Sequence, residues 1–459
     1  MSDPQQHPAS FRDPAGFIFQ YNGHYYRQVN QSYEKDFKLF HSSGLYQHLI
    51  TARQLLPYVI LKKNMTGSQH WYTTLLPQQL RFITYPYEWC FSQWKDAALL
   101  TLDLAAEGIK YGMVLKDATP FNVQFVDGRP MLIDSLSFEA YDETRPWKAY
   151  RQFVECFIAP ILLAKYQSPA LLKLFQLYPD GLPLPMVAGM LPMRSWFSMN
   201  VLLHVRLPLW LSSSKPSAQQ SKPTFSRQKM THLIGNLRSF VNALALPAVT
   251  STWNNYYEET ILSDEYARDR MEVVQPWLKK TDVQTVADIG ANTGYYALAA
   301  AAEGKFTLAV DADIACLDNL YKEIRRNKVA NVVTIWADLT QSSPAIGWAN
   351  EERASFTSRL KVDMILALAV IHHLCISKNI SFAQLALLFS KACSWLVIEF
   401  VPKTDPKVQL LLSSREDIFS FYSEQYFIEA FAAFFSIEEK VKVKDTERII
   451  FLMKKVGRD

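Results

Sequence analysis

The sequence predicts an α/β chain, with a C-terminal, mostly parallel sheet over residues 251–459 preceded by an N-terminal α+β region. Three observations predict it. Apolar runs of strand length alternate with helical segments through the C-terminal part. Most of those runs end in an acid or a histidine, and in an open parallel sheet the carboxyl ends of the strands are where ligands sit. At 459 residues the chain exceeds what one hydrophobic core organises, and Ser212–Ser226, rich in Ser, Pro, Lys and Gln, has little to bury and reads as a linker. The expected division is an α+β domain at 1–165, a helical segment at 166–250 with the linker near 212–228, and the sheet domain at 251–459.

In chain order, Phe17–Arg27 reads as a hairpin turning at Asn22-Gly23, and Gln93–Gly112 as a long helix. Between Val114 and Asp134 a second hairpin is expected at Asp127-Gly128, followed by an apolar strand ending in Asp134. The aromatic residues of Pro146–Phe157 recur at helical spacing, which favours core over a ligand cage. Phe157–Ala164 and Asn200–Leu211 are the most apolar stretches; both are too short to span a bilayer, and the second is interrupted by Arg206 and Pro208. They are expected to be buried or interfacial helices. Arg227–Ala245 has helical spacing, and Trp253–Glu259 begins a helical lead-in whose Tyr256 and Tyr257 either line the site or pack in the core.

The densest signal is Val286-Ala-Asp288-Ile-Gly290-Ala-Asn292-Thr-Gly294. An apolar strand ends in Asp288, and two glycines with an Asn, all tolerant of left-handed backbone, carry the chain into an Ala-rich helix. A second strand, Phe306–Asp311, ends in an acid placed to accept ribose hydroxyls. The third, Val332–Trp336, leads to Asp338; the fourth, Val362–Ile371, to His372 and His373; the fifth, Trp395–Phe400, contains Glu399 near its end. Lys440–Lys444 and Arg448–Met453 read as a closing antiparallel hairpin.

Asp-x-Gly-x-Asn-x-Gly with these acids resembles the class I S-adenosylmethionine (SAM) dependent methyltransferases, over residues 251–459. The resemblance implies a Rossmann-like sheet with SAM as cofactor, Asp288 and the backbone near Gly290, Asn292 and Gly294 at the methionine end, Asp311 at the ribose and Asp338 at the adenine. It also implies a catalytic base at the ends of the fourth and fifth strands, among His372, His373 and Glu399. Each histidine has the alternative of capping a helix or packing. Glu399 needs a partner if buried, and Arg353 is the candidate, unless Arg353 binds an acidic substrate. A dehydrogenase-type domain, or a non-catalytic SAM-binding scaffold, is the competing reading. The insertion Leu339–Arg353, with Ile398-Glu-Phe-Val-Pro402, resembles a bacterial methyltransferase group related to the nodulation protein NoeA, which implies a glycan or cell-surface context for an unidentified acceptor. Following Asp338, this insertion is expected to lie near the cofactor, at the sheet's carboxyl edge.

In the N-terminal half, Asp117-x-x-x-x-Asn122, the hairpin and Asp134 resemble the catalytic and metal-binding loops of protein kinases and aminoglycoside phosphotransferases. That resemblance implies that Asp117 orients an attacking hydroxyl while Asn122 and Asp134 hold magnesium, which would make the protein bifunctional. There are departures. Lys116 stands where many kinases have Arg, Ser-Leu follows Asp134, and no Gly-rich loop or Val-Ala-Ile-Lys-like strand precedes. The alternatives are a turn cap and a buried strand end, or a degenerate kinase-like lobe that binds substrate or partner.

Composition sets bounds. Hydrophobic content of 49% and aromatic content of 13% are those of a core-forming protein, and a net charge of +4 gives no strong nucleic-acid signal. The five cysteines are scattered, without Cys-x-x-Cys spacing, which fits a reducing cytoplasm and neither a disulfide framework nor a zinc site. No signal peptide or transmembrane segment is expected, and the oligomeric state is left open.

Overall fold

The computed structural model describes residues 3–213, 225–246, 264–413 and 415–457. The chain divides into two compact units, Met1–Ala248 with Ala345–Ala354, and Val249–Pro344 with Ser355–Asp459. Most of the expected linker and all of Trp253–Glu259, with Tyr256 and Tyr257, lie outside the described residues.

Unit 1 begins with a five-stranded antiparallel sheet of β1 (Gln5–Gln6), β2 (Gly16–Tyr21), β3 (His24–Asn30), β4 (Tyr58–Leu61) and β5 (Trp71–Pro77), in the order β1-β2-β3-β5-β4. Asn22 (φ 47°) and Gly23 (φ 79°) form the β2–β3 turn, both left-handed, which is the geometry that matches hairpin twist. The helix Phe91–Lys110 is followed by β6 (Met113–Leu115), the hairpin of β7 (Val123–Val126) and β8 (Arg129–Leu132), and β9 (Phe138–Ala140) paired with β6. Asp127 (φ 48°) and Gly128 (φ 67°) make the β7–β8 turn. Trp147, Phe153 and Phe157 are buried, so those aromatics are core.

Among the described residues unit 2 holds seven strands: β10 (Thr285–Ile289), β11 (Phe306–Asp311), β12 (Val332–Trp336), β13 (Val362–Ala367), β14 (Cys393–Phe400), β15 (Phe435–Lys442) and β16 (Ile449–Lys455). Their order is β12-β11-β10-β13-β14-β16-β15; the first five pair in parallel, and β16 alone runs the other way, antiparallel to both β14 and β15. The order reverses beside β10, which creates the crevice where such sheets bind ligands. This is a Rossmann-like sheet of the class I methyltransferase type. The closing hairpin starts earlier than its alternation suggests, at Phe435, because a bulge between Ile437 and Glu439 resets the pleat. The fourth strand stops at Ala367 and does not reach Ile371, since Ala369 takes a left-handed φ of 53°.

The insertion Leu339–Arg353 divides between the two units. Its outer part, Ala345–Ala354, belongs to unit 1, where the Arg353 guanidinium lies 3.7 Å from the centre of the Phe121 ring and Glu352 pairs with Arg12 at 2.6 Å.

Candidate functional site

The loop after β10 puts Gly290 at φ 77°, Asn292 at 47° and Gly294 at 83°, ahead of the helix Tyr295–Ala302. The glycines do more than clear room for a ligand. A Cβ on Gly290 would stand 2.6 Å from Val370 Cγ2, and one on Gly294 2.4 Å from Leu320 Cδ1, so the bend is packed from the protein side. Asp288 is 2% exposed, and its Oδ2 accepts the Ala297 N–H at 3.0 Å. Burial pushes its carboxyl up to about 7; the Ala297 N–H opposes this and the nearby Asp311 charge adds to it.

Parallel pairing sets the remaining carboxylates along the same edge. Asp288 stands opposite Ala309, so Asp311 lies two residues further along β11; Asp311 stands opposite Trp336, so Asp338 lies two residues past that. Asp311 accepts the Asn292 N–H on Oδ2 and the Asp313 N–H on Oδ1, each at 2.7 Å, and burial raises its pKa. Asp338 accepts Thr340 N–H and Oγ1–H at 2.8 and 2.6 Å. Asn292 Oδ1 is buried with no hydrogen-bond partner among the described residues.

The three candidate bases differ sharply. His372 is fully buried, with neither ring nitrogen hydrogen-bonded among the described residues, and burial holds its pKa well below the usual value. The half-buried His373 ring lies 4.2 Å from it, centre to centre, and burial pushes the His373 pKa down to about 4. Glu399 is fully buried, and its partner is not Arg353. Its oxygens accept from Tyr266 Oη at 2.6 Å, Arg270 at 3.0 Å and the Ala369 N–H at 2.7 Å, with Arg448 at 3.8 Å. Arg448 in turn donates to Tyr266 and holds Asp405 through two bonds of 2.7 and 3.0 Å. Both Glu399 oxygens are therefore engaged, as in the centre of an ion-pair network. Tyr266, Arg270, Asp405 and Arg448 escaped the sequence reading. The available signal was the need of a carboxylate in an apolar strand for a cation.

In unit 1 the structure brings Asp117, Asn122 and Asp134 together. Asn122 Nδ2 donates to Asp117 at 3.0 Å and lies 3.4 Å from Ser137 Oγ, which donates to Asp134 at 2.6 Å. Gln152 donates to the other Asp117 oxygen at 2.6 Å, and burial raises the Asp117 pKa. Asp134 is closed by Arg27 at 2.6 Å, a β3 residue the sequence reading did not single out, and by the Leu136 N–H at 3.1 Å. With a guanidinium and two donors on Asp134, and the amide nitrogen of Asn122 facing the cluster, these residues do not fit a magnesium ion as they stand.

No protein-family model matches the chain. It is 29% identical over 466 residues to the nodulation protein NoeA of Rhizobium meliloti (strain 1021), covering 98% of this chain and 96% of that protein. Among solved structures it is similar to the magnesium protoporphyrin IX methyltransferase ChlM of Synechocystis PCC 6803 with bound SAM (15% identity, 46% of this chain and 87% of that one, TM-score 0.32). The N-methyltransferase NodS of Bradyrhizobium japonicum WM9 is also similar (13% identity, 43% of this chain and 100% of that one, TM-score 0.33). The fold assignment rests on the strand order itself.

Proposed function

We propose that unit 2 binds SAM and that the protein is a methyltransferase. The observation that carries this reading is the row of Asp288, Asp311 and Asp338 on three adjacent strand ends, beside a left-handed loop whose Asn292 Oδ1 is buried and has no hydrogen-bond partner among the described residues. Leaving such an acceptor dry costs about 1–3 kcal/mol, so the loop fits a ligand that brings a donor. In this reading Asp288 faces the methionine ammonium, Asp311 the ribose hydroxyls and Asp338 the adenine amino group. SAM supplies a methyl group on a cationic sulfur. The chain's task is to align the acceptor, exclude water and take the acceptor's proton where required.

Of the three candidate bases, His373 suits that last role best. It is half-buried, and its lowered pKa keeps the ring neutral and able to accept a proton at neutral pH. His372 is enclosed, and Glu399 is held by its network. The acceptor is unidentified; a glycan or cell-surface component is the class implied by the resemblance carried in Leu339–Arg353 and Ile398–Pro402. The convergence of Asp117, Asn122 and Asp134 favours a second reading, a phosphotransferase-like unit 1, but the Arg27 pair on Asp134 weighs against magnesium-dependent transfer.

Isothermal titration of the full chain should show SAM binding, and Asp311→Ala should weaken it at least ~10-fold, the loss of one charged hydrogen-bonding group. Absence of binding by the unaltered protein overturns the reading. Labelled SAM added with the protein to extract from a strain lacking it, followed by fractionation into glycan, protein, RNA and small molecules, identifies the acceptor.

A further inference from the structure

Unit 1 carries an apolar face that its own core does not use. Met199, Leu203, Leu207 and Trp210 are all exposed and recur at spacings of three and four residues along the helical run Met199–Ser213, and the exposed Trp196 of the turn before it folds back against Trp210, their ring centres 6.4 Å apart, so the five form one apolar stripe. Beside the stripe, Phe197 is 92% exposed. The opposite side is firmly seated, because Val201, His204 and Val205 are buried and the His204 ring nitrogens bond Tyr150 Oη at 2.8 Å and Asn236 Oδ1 at 2.9 Å. The stripe therefore belongs to an anchored helix, not to a fraying one.

Charge says what such a face is for. From Gly181 to Tyr257 the sequence has no Asp or Glu, in a chain with 44 of them, yet it has seven Lys or Arg residues. Two of these flank the stripe directly. Arg194 is exposed and bonds the Tyr166 carbonyl at 2.9 Å, whereas Arg206 is buried, its guanidinium 3.8 Å from the centre of the Trp196 ring and bonded to Ser195 Oγ at 3.3 Å. Tryptophans and other apolar side chains beside an exposed cation, on a segment of sequence free of acids, match the boundary of an anionic bilayer, where rings sit at headgroup depth and a guanidinium such as that of Arg194 meets phosphates. Among the described residues no helix is long and apolar enough to cross a membrane, so the contact would be peripheral. We infer that this face of unit 1 docks on an anionic lipid surface.

The test is co-sedimentation of the full chain with phosphatidylcholine vesicles, with and without phosphatidylglycerol. Binding only to the anionic vesicles, weakened by salt, about tenfold or more weaker in Phe197→Ser/Trp210→Ser, and also reduced in Arg194→Gln, is the expected result. Both aromatic positions are exposed, so the variants should melt as the parent does by circular dichroism. No binding to either vesicle, equal binding to both, or binding unchanged by the substitutions overturns the inference. So does a dimer that the double substitution converts to monomer, which would show that a second copy covers the face.

Discussion

Replacing Glu399 by Gln separates a structural carboxylate from a catalytic one. The residue is fully buried, accepts from Tyr266, Arg270 and the Ala369 N–H at 2.6, 3.0 and 2.7 Å, and stands 3.8 Å from Arg448. The amide removes the negative charge beside two buried guanidiniums, and its NH2 must face a group that was donating. Removing one partner of a buried ion pair costs about 3–5 kcal/mol. Arg448 keeps its two bonds to Asp405, which places the loss near the lower end, about 3 kcal/mol. For a unit of this size each kcal/mol lowers the melting midpoint by about 2–4 °C, so the transition of unit 2 should fall by about 6–12 °C in differential scanning calorimetry of the full chain. If the midpoint moves by less than about 1 °C while methyl transfer disappears, Glu399 is acting as a base and the network argument fails.

Two further outcomes follow from the cofactor loop. Gly294→Ala must place a Cβ 2.4 Å from Leu320 Cδ1 at a φ of 83°, and strain plus overpacking should cost about 2–4 kcal/mol, read as a lower urea midpoint at unchanged m-value. Asp288 has its folded pKa raised to about 7 against about 4 when unfolded, so the folded chain keeps a proton that the unfolded chain releases. Its contribution is present at low pH and is lost as pH rises from about 4 to about 7; Asp288→Asn should flatten the dependence of the urea midpoint on pH across that window. For the same reason SAM, whose ammonium favours the ionised carboxylate, should bind more tightly as pH rises toward about 7. Titration calorimetry showing equal affinity at about pH 5.5 and 7 would count against Asp288 as the ammonium's partner.

Local chemistry made much of this readable in advance. Asn22-Gly23 and Asp127-Gly128 are hairpin turns because those residues accept left-handed backbone, a preference that operates within four residues. The strands carrying Asp288, Asp311 and Asp338 announce themselves by apolar runs with acids at their ends, and parallel pairing then sets those acids along one edge. Where the reading slipped, the cause was not local. The run Val362–Ile371 stays apolar past the end of β13, and apolarity reports burial, not the turn that Ala369 makes under the hold of Glu399 on its N–H. The start of β15 is displaced by a bulge that shows only in its pairing with β16.

The sequence by itself determined the α/β class, the order of the parallel strands' acids, the left-handed loop at Gly290, Asn292 and Gly294, and the grouping of Asp117, Asn122 and Asp134 around a hairpin, because each follows from backbone preference and period within a short window. Only the tertiary structure decided that Arg270 and Arg448 neutralise Glu399, that Arg27 closes Asp134, that Ala345–Ala354 belongs to unit 1, and that the helix around Leu203 shows an apolar stripe outward. Ion pairs between residues far apart in the chain leave no periodic trace, and which face of a largely apolar helix is covered depends on what packs against it.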